Sequence, residues 1–334
     1  MSNEPLFRRR INRDENGENR ITEGGDISHC PSPLAPLLES IKMCVGSIIT
    51  ERHEELRELI DSGISIGLDG NSPEFYIAAN VEKREVILGL AALERVWAYT
   101  YFYLAALDLL PNSPKGTVID ITSIDEFQPA RELARWALEC EREKYQSPWP
   151  FGLPRPDIDD GSDDRIRTAK HFFLHAVCFL ILHEIGHIHF QHPPGKFVDA
   201  KTSHKFENEA DGWAADFMLQ YWEKAGRGQK DFIGRCTGIS FGLAMLAGVE
   251  FYHHAAQDDH PTIAERLLRF FEKYNPEVTG PPSAVRDFPF HLASVILHTH
   301  FLNAGIPFDL TKDYGDITNY LIAAHRALNE HKNG

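Results

Sequence analysis

Apolar side chains recur along this chain at two different spacings, and the changes between them mark out its elements. Residues 1–31 are rich in Gly, Asn, Glu and Arg with few apolar positions, too few to offset the entropy of ordering, so a disordered tail is expected. From Pro36 to Asp61, Leu37, Leu38, Ile41, Cys44, Val45, Ile48 and Ile49 recur at helical spacing, followed by Glu51, Arg52, Glu54 and Glu55, which predicts an amphipathic helix. Between Ser65 and Ala79, Phe75-Tyr76-Ile77 and an Ile-x-Leu run flank Asp69-Gly70-Asn71, a turn signal that predicts a short hairpin; Val118-Ile119-Asp120-Ile121 reads as a further strand. Long helical patterns cover residues 83–110 and 125–145. Ser147 to Asp164 then breaks the periodicity with prolines and aspartates, the composition of a boundary loop.

After that loop comes an almost continuously apolar run, Phe172 to Leu182, interrupted only by His175, as expected of a helix buried nearly all round. A second helix is expected around Glu207, where Phe206, Ala210, Trp213, Phe217 and Tyr221 form a stripe at spacings of three and four. Further helices are expected near 239–256, from Pro261 onward, and in two short stretches toward the C-terminus. The pattern therefore predicts a mainly α fold with a small β element (α+β). It divides into a tail at 1–31, a mostly helical region with a hairpin at 32–150 and a core at 165–334.

The chemistry concentrates where the apolar run ends, at His183-Glu184-Ile185-Gly186-His187. On a helix, residues four apart lie one turn up the same face, about 6 Å along the axis, so His183 and His187 can aim ring nitrogens at one metal ion. Glu184, one step round the helix, reaches a water at that ion without entering the coordination shell, the place of a general base. Burying a glutamate beside two histidines without a partner is costly, and a metal removes that cost.

Catalytic zinc usually has three protein ligands and one open position, so another carboxylate is needed. The segment Glu207-Asn208-Glu209-Ala210-Asp211 offers two. Glu207 has Asp211 one turn on, placed to accept the outer N–H of a ligand histidine, the contact that fixes tautomer and ring orientation. Glu209 is the rival ligand, but Trp213 occupies its own plus-four position, so Glu207 is the expected third ligand. His171/His175 and His189/His192 are also helically spaced. Without a matching carboxylate base and ExxxD partner they read as structural or rim residues. His253 and His254 have no assigned place.

HEIGH followed by ExxAD resembles the gluzincin metallopeptidases, in which both motif histidines and the first glutamate of the second motif bind zinc. Asp259-His260-Pro261-Thr262-Ile263-Ala264-Glu265-Arg266-Leu267 is similar to the SHPxxxERL segment of CAAX prenyl protease and HtpX-like peptidases. That resemblance implies a zincin-like helical core, an oxyanion-stabilising role for His260, and for Arg266 a part in holding the site together. On physical grounds alone, His260 before Pro261 equally suits a turn at a helix start. Unlike those membrane relatives, this chain has no stretch approaching the roughly twenty apolar residues of a bilayer span. The arrangement resembles the Lit-type phage-exclusion peptidases, in which a cytoplasmic HExxH protein cleaves a host factor. The motif likeness covers about residues 170–270.

Composition narrows the partners. The chain has 334 residues, 43% of them hydrophobic, enough for a substantial core without staples. A formal net charge of −15 opposes binding to nucleic acid or to an anionic membrane. The Arg8-Arg9-Arg10 run lies in the polar tail and reads as a solvated terminus. Five scattered cysteines without CxxC spacing read as reduced thiols, and no hydrophobic signal segment follows Met1, so the cytoplasm is the expected location.

Two rival functions are visible. Gly238-Ile239-Ser240-Phe241-Gly242 fits the G-x-S-x-G elbow of serine hydrolases, yet nothing before Gly238 alternates like the strand that motif requires, and its glycines suit close helix packing. A non-catalytic binding or regulatory protein with structural zinc has no use for Glu184 as a base. The sequence thus predicts a zinc-dependent peptidase acting on a protein or peptide, with His183, His187 and Glu207 on Zn2+, Glu184 and His260 catalytic, and Asp211 and Arg266 supporting them.

Overall fold

The computed structural model describes residues 10–13, 19–22, 32–34, 37–70, 76–109, 124–143, 149–150, 152–157, 164–193, 198–252, 261–274, 295–297, 301, 306, 308 and 317–333. The fold is mainly α with a small β element. In chain order it contains strands β1 (Arg10–Arg13) and β2 (Asn19–Thr22), helices α1 (Leu38–Ile48) and α2 (His53–Asp61), and strands β3 (Ser65–Asp69), β4 (Ile77–Asn80) and β5 (Glu85–Gly89). Then follow α3 (Leu90–Leu109), α4 (Gln128–Glu143), α5 (Asp164–Phe190), α6 (Ala200–Leu219), α7 (Gln229–Tyr252), α8 (Ile263–Tyr274) and α9 (Ile317–Asn333). The strand expected at Val118–Ile121, and residues His253, His254 and His260, lie outside the described residues.

Several boundaries differ from the sequence pattern. The helix expected from Pro36 to Asp61 is broken at Ile49, where a 3-10 turn (Thr50–Arg52) separates α1 from α2. Asp69-Gly70 does not head a hairpin between β3 and β4, because β5 lies between them in the order β3-β5-β4. The true hairpin joins β4 to β5, with the Gly89 N–H donating to the Tyr76 carbonyl at 2.7 Å. Residues 85–89, read as the start of a helix, alternate instead: Val86 and Leu88 are fully buried while Glu85 and Ile87 are half-buried. Inside the tail at 1–31, β1 and β2 pair antiparallel with Ile11 opposite Ile21, a pairing that average composition hides.

The chain divides into two compact units that trade segments: residues 1–42, 66–78 and 87–171 form one, and 43–65, 79–86 and 172–334 the other. In the first, α3 packs on α4; the buried Arg95 donates to the Cys140 carbonyl at 3.2 Å, and Phe102 meets Phe127 at 5.2 Å. In the second, α6, α7 and α8 pack on one another and α9 packs on α8.

Two local devices hold that second unit in register. The Asp199 carboxylate caps α6, accepting from the Thr202 N–H at 3.0 Å, and Thr262 caps α8, its hydroxyl accepting from the Glu265 N–H at 3.2 Å. Close helix crossings do the rest. A Cβ placed on Gly186 of α5 would come within 3.2 Å of the Ala210 Cα on α6, and one on Gly238 of α7 within 2.3 Å of the His175 Cβ on α5. By length and composition α5 passes as a membrane span, but 72% of its apolar window is buried inside the protein, as in a core helix.

Candidate metal and catalytic site

The last two turns of α5 and the middle of α6 face each other across the Gly186–Ala210 crossing, which lets a carboxylate on one helix reach rings on the other. The Nε2 atoms of His183 and His187 lie 3.1 Å apart. Glu207 approaches both, its Oε2 at 3.3 Å from His183 Nε2 and its Oε1 at 3.5 Å from His187 Nε2. Four-coordinate zinc with bonds of 2.0–2.2 Å holds its ligand atoms about 3.3–3.6 Å apart. The two Glu207 separations, one to each carboxylate oxygen, fall in that range and the Nε2–Nε2 separation is slightly shorter; among the described residues these three side chains form a group that could hold a metal ion. His183 and Glu207 are buried, so two rings and a carboxylate converge where water competes little for them.

A carboxylate stands behind His183. Asp211 Oδ1 lies 2.9 Å from His183 Nδ1, and Arg266 of α8 grips the same carboxylate with two hydrogen bonds of 2.6 Å. The Arg266 guanidinium also stands 3.6 Å from Glu207. Burial works against ionising Asp211, yet Arg266 and His183 hold its carboxyl below the usual carboxylate range. For His183, burial alone would depress the pKa; contacts to Asp211 and Glu207 outweigh it and raise it to about 10. His187 goes the other way, pushed down to about 3 by burial and by the neighbouring charge on His183.

Glu184 stands one position round α5 from the ligand face, half-buried, and accepts a hydrogen bond from the Ala79 N–H on β4. Burial, the largest influence, pushes its carboxyl up to about 7 against the favourable charge of His183. The expected oxyanion residue His260 lies outside the described residues, while the Arg266 that follows it in the same segment bonds to Asp211.

The serine-hydrolase alternative does not survive the geometry. Ser240 is fully buried inside α7, and its hydroxyl donates to the Cys236 carbonyl one turn earlier at 2.9 Å. No strand precedes it; α7 runs unbroken from Gln229. Its flanking glycines serve packing, Gly238 against His175 and Gly242 against Phe179.

A family model described as Peptidase U49 matches residues 87–284, more than half of the chain. The chain belongs to the peptidase U49 family. This U49 peptidase is 27% identical over 245 residues to the Cell death peptidase of Escherichia coli (strain K12), a match covering 71% of this chain and 80% of the relative. No solved structure matches it. The family match spans α3 through α8 and so contains both HEIGH and ExxAD, a wider likeness than the stretch near 170–270 that the motifs alone carry.

Two residues of this U49 peptidase that the sequence reading set aside stand beside the site. His192, read as a rim residue, is 4% exposed and places its Nδ1 3.0 Å from His187 Nδ1. Glu209, read as the rival ligand without a partner, lies 3.2 Å from His192 Nε2. The signal for them is not helical periodicity, because His192 lies beyond the end of α5. His189, by contrast, is exposed and stacks on Trp213 at 5.5 Å, and His175 is buried at the α7 crossing.

Proposed function

We propose that this peptidase is a zinc-dependent endopeptidase that cleaves a protein substrate inside the cell, with a phage-exclusion role implied by the Lit-type resemblance. The observation that carries the reading is the meeting of His183 Nε2, His187 Nε2 and the two Glu207 carboxylate oxygens at 3.1, 3.3 and 3.5 Å, close enough for one zinc ion to take a ligand from each side chain. Zinc held there would act as a Lewis acid toward a peptide carbonyl and make a water more acidic.

The chain's own residues have separate duties. His183, His187 and Glu207 are the ligands, and Asp211 keeps the His183 ring turned so that Nε2 faces the site. Arg266 keeps Asp211 ionised and in place. Glu184, beside the ligand face but not part of it, takes the proton of the attacking water and returns it to the leaving amine. The resemblance assigns His260 to the developing oxyanion, where an N–H donor contributes most.

The test is a comparison of wild type with Glu184→Gln for zinc content and for new protein termini generated in a cell lysate, with and without a chelator. Glu184→Gln keeps zinc and loses cleavage, and the chelator abolishes cleavage by the wild type. Undiminished cleavage by Glu184→Gln, or in chelator, would refute the reading.

A further inference from the structure

We propose that His192 is a positioning residue for the metal ligand His187, and that Glu209 acts through it; this rests on the zinc reading above. The end of α5 shows how the chain builds the contact. The Gln191 N–H donates to the Ile188 carbonyl at 3.3 Å and the His192 N–H to the His187 carbonyl at 3.0 Å, the paired bonds of a Schellman ending. That motif folds the residue two past the helix back over the residue five positions earlier, here His192 over His187. Gln191 takes the left-handed position, φ 55, where glycine is the usual occupant. The helix thus ends this way at the cost of a side chain in left-handed backbone.

The ring so delivered is fixed on every side. It stacks on Phe206 of α6 with centroids 4.3 Å apart and planes 18° apart, and on Phe190 at 5.4 Å. Its Nδ1 faces His187 Nδ1 at 3.0 Å, and its Nε2 faces the Glu209 carboxylate at 3.2 Å. Proton placement then follows from donors and acceptors alone. An ionised carboxylate only accepts, so His192 Nε2 carries the hydrogen and, in a neutral ring, Nδ1 is left as an acceptor. His187 Nδ1 must therefore donate, which leaves its Nε2 lone pair pointing at Glu207 and the metal position. One carboxylate, Asp211, orients His183 directly. A second, Glu209, orients His187 through an intervening imidazole.

The experiment measures zinc affinity of the full-length protein by competition with a chromophoric chelator, for wild type and variants. His192→Phe keeps the stack on Phe206 and removes both nitrogens; zinc binds about 10–100-fold more weakly, the usual cost of losing such a contact. Glu209→Ala, at a partly exposed position where folding is not at risk, weakens zinc by a smaller factor, and the double variant binds no more weakly than His192→Phe alone. His192→Asn, whose amide oxygen sits near the place of Nδ1, recovers part of the affinity. If His192→Phe binds zinc like wild type, or Glu209→Ala weakens the double variant by its full factor, the proposal is overturned. A wild type that takes up no zinc overturns the zinc reading as well.

Discussion

Glu207 and Glu209 lie two positions apart on α6, and that offset sends one carboxylate to the pair of Nε2 atoms and the other to His192. The same arithmetic explains Asp211, one turn beyond Glu207 on the same edge, which lands on the far nitrogen of His183. Because Asp211 is gripped by Arg266 on one side and meets His183 on the other, Asp211→Asn disturbs both contacts. Zinc affinity should fall about 10–100-fold in a chelator competition, with Glu207 still in place; an unchanged affinity would show that His183 needs no such support. The ExxxD spacing made this residue legible in the sequence. His192 was not legible, because its contact depends on how α5 ends, and that ending uses Gln191 where a glycine would have announced it.

At the scale of elements, two helix crossings position the site. The Gly186–Ala210 crossing belongs to the motifs themselves, while Gly238 and Gly242 seat α7 against the His175–Phe179 stretch of α5 just before His183. In an exposed helix, Gly→Ala stabilises by roughly 1 kcal/mol. At Gly238 the sign should reverse: a methyl there meets the His175 Cβ at 2.3 Å and its carbonyl carbon at 2.9 Å, so the helices must part. Gly238→Ala should cost about 1–3 kcal/mol in urea unfolding, and a stabilised variant would contradict the crossing. The long helix α4, with its clear stripe, is legible close to its observed limits, whereas α6 is legible as a stripe whose last expected member, Tyr221, lies past the helix end. The strand β5 was not, because Val86-Ile87-Leu88 runs straight into the apolar start of α3 and so short a run carries no period of its own. Its pairing with β3, about twenty residues earlier, is a choice that local sequence does not encode.

For the molecule as a whole, a surplus of acidic groups makes each buried cation a point of dependence. Arg235 is fully buried and donates to the Met218 carbonyl at 2.7 Å, the Ile48 carbonyl at 2.8 Å and the Glu51 carboxylate, with Asp231 at 2.8 Å. It ties the ends of α1 and α6 to α7 within one unit. Arg235→Met leaves Glu51 buried without its cation and should destabilise by about 3–5 kcal/mol in denaturant unfolding, with Glu51→Gln in the same chain restoring part of the loss. Additive losses in the double variant would speak against the pair. Net charge and composition read from sequence set the general class, but the interleaving of the two units rests on contacts between distant segments and left no trace in the pattern.

Arg266 belongs to α8, which follows both α5 and α6 in chain order. A polypeptide still leaving the ribosome with α5 and α6 already folded would hold both histidines and both acids, yet no guanidinium for Asp211. On that reading the support for Asp211 arrives only after the helices that carry His183, His187 and Glu207 have been made.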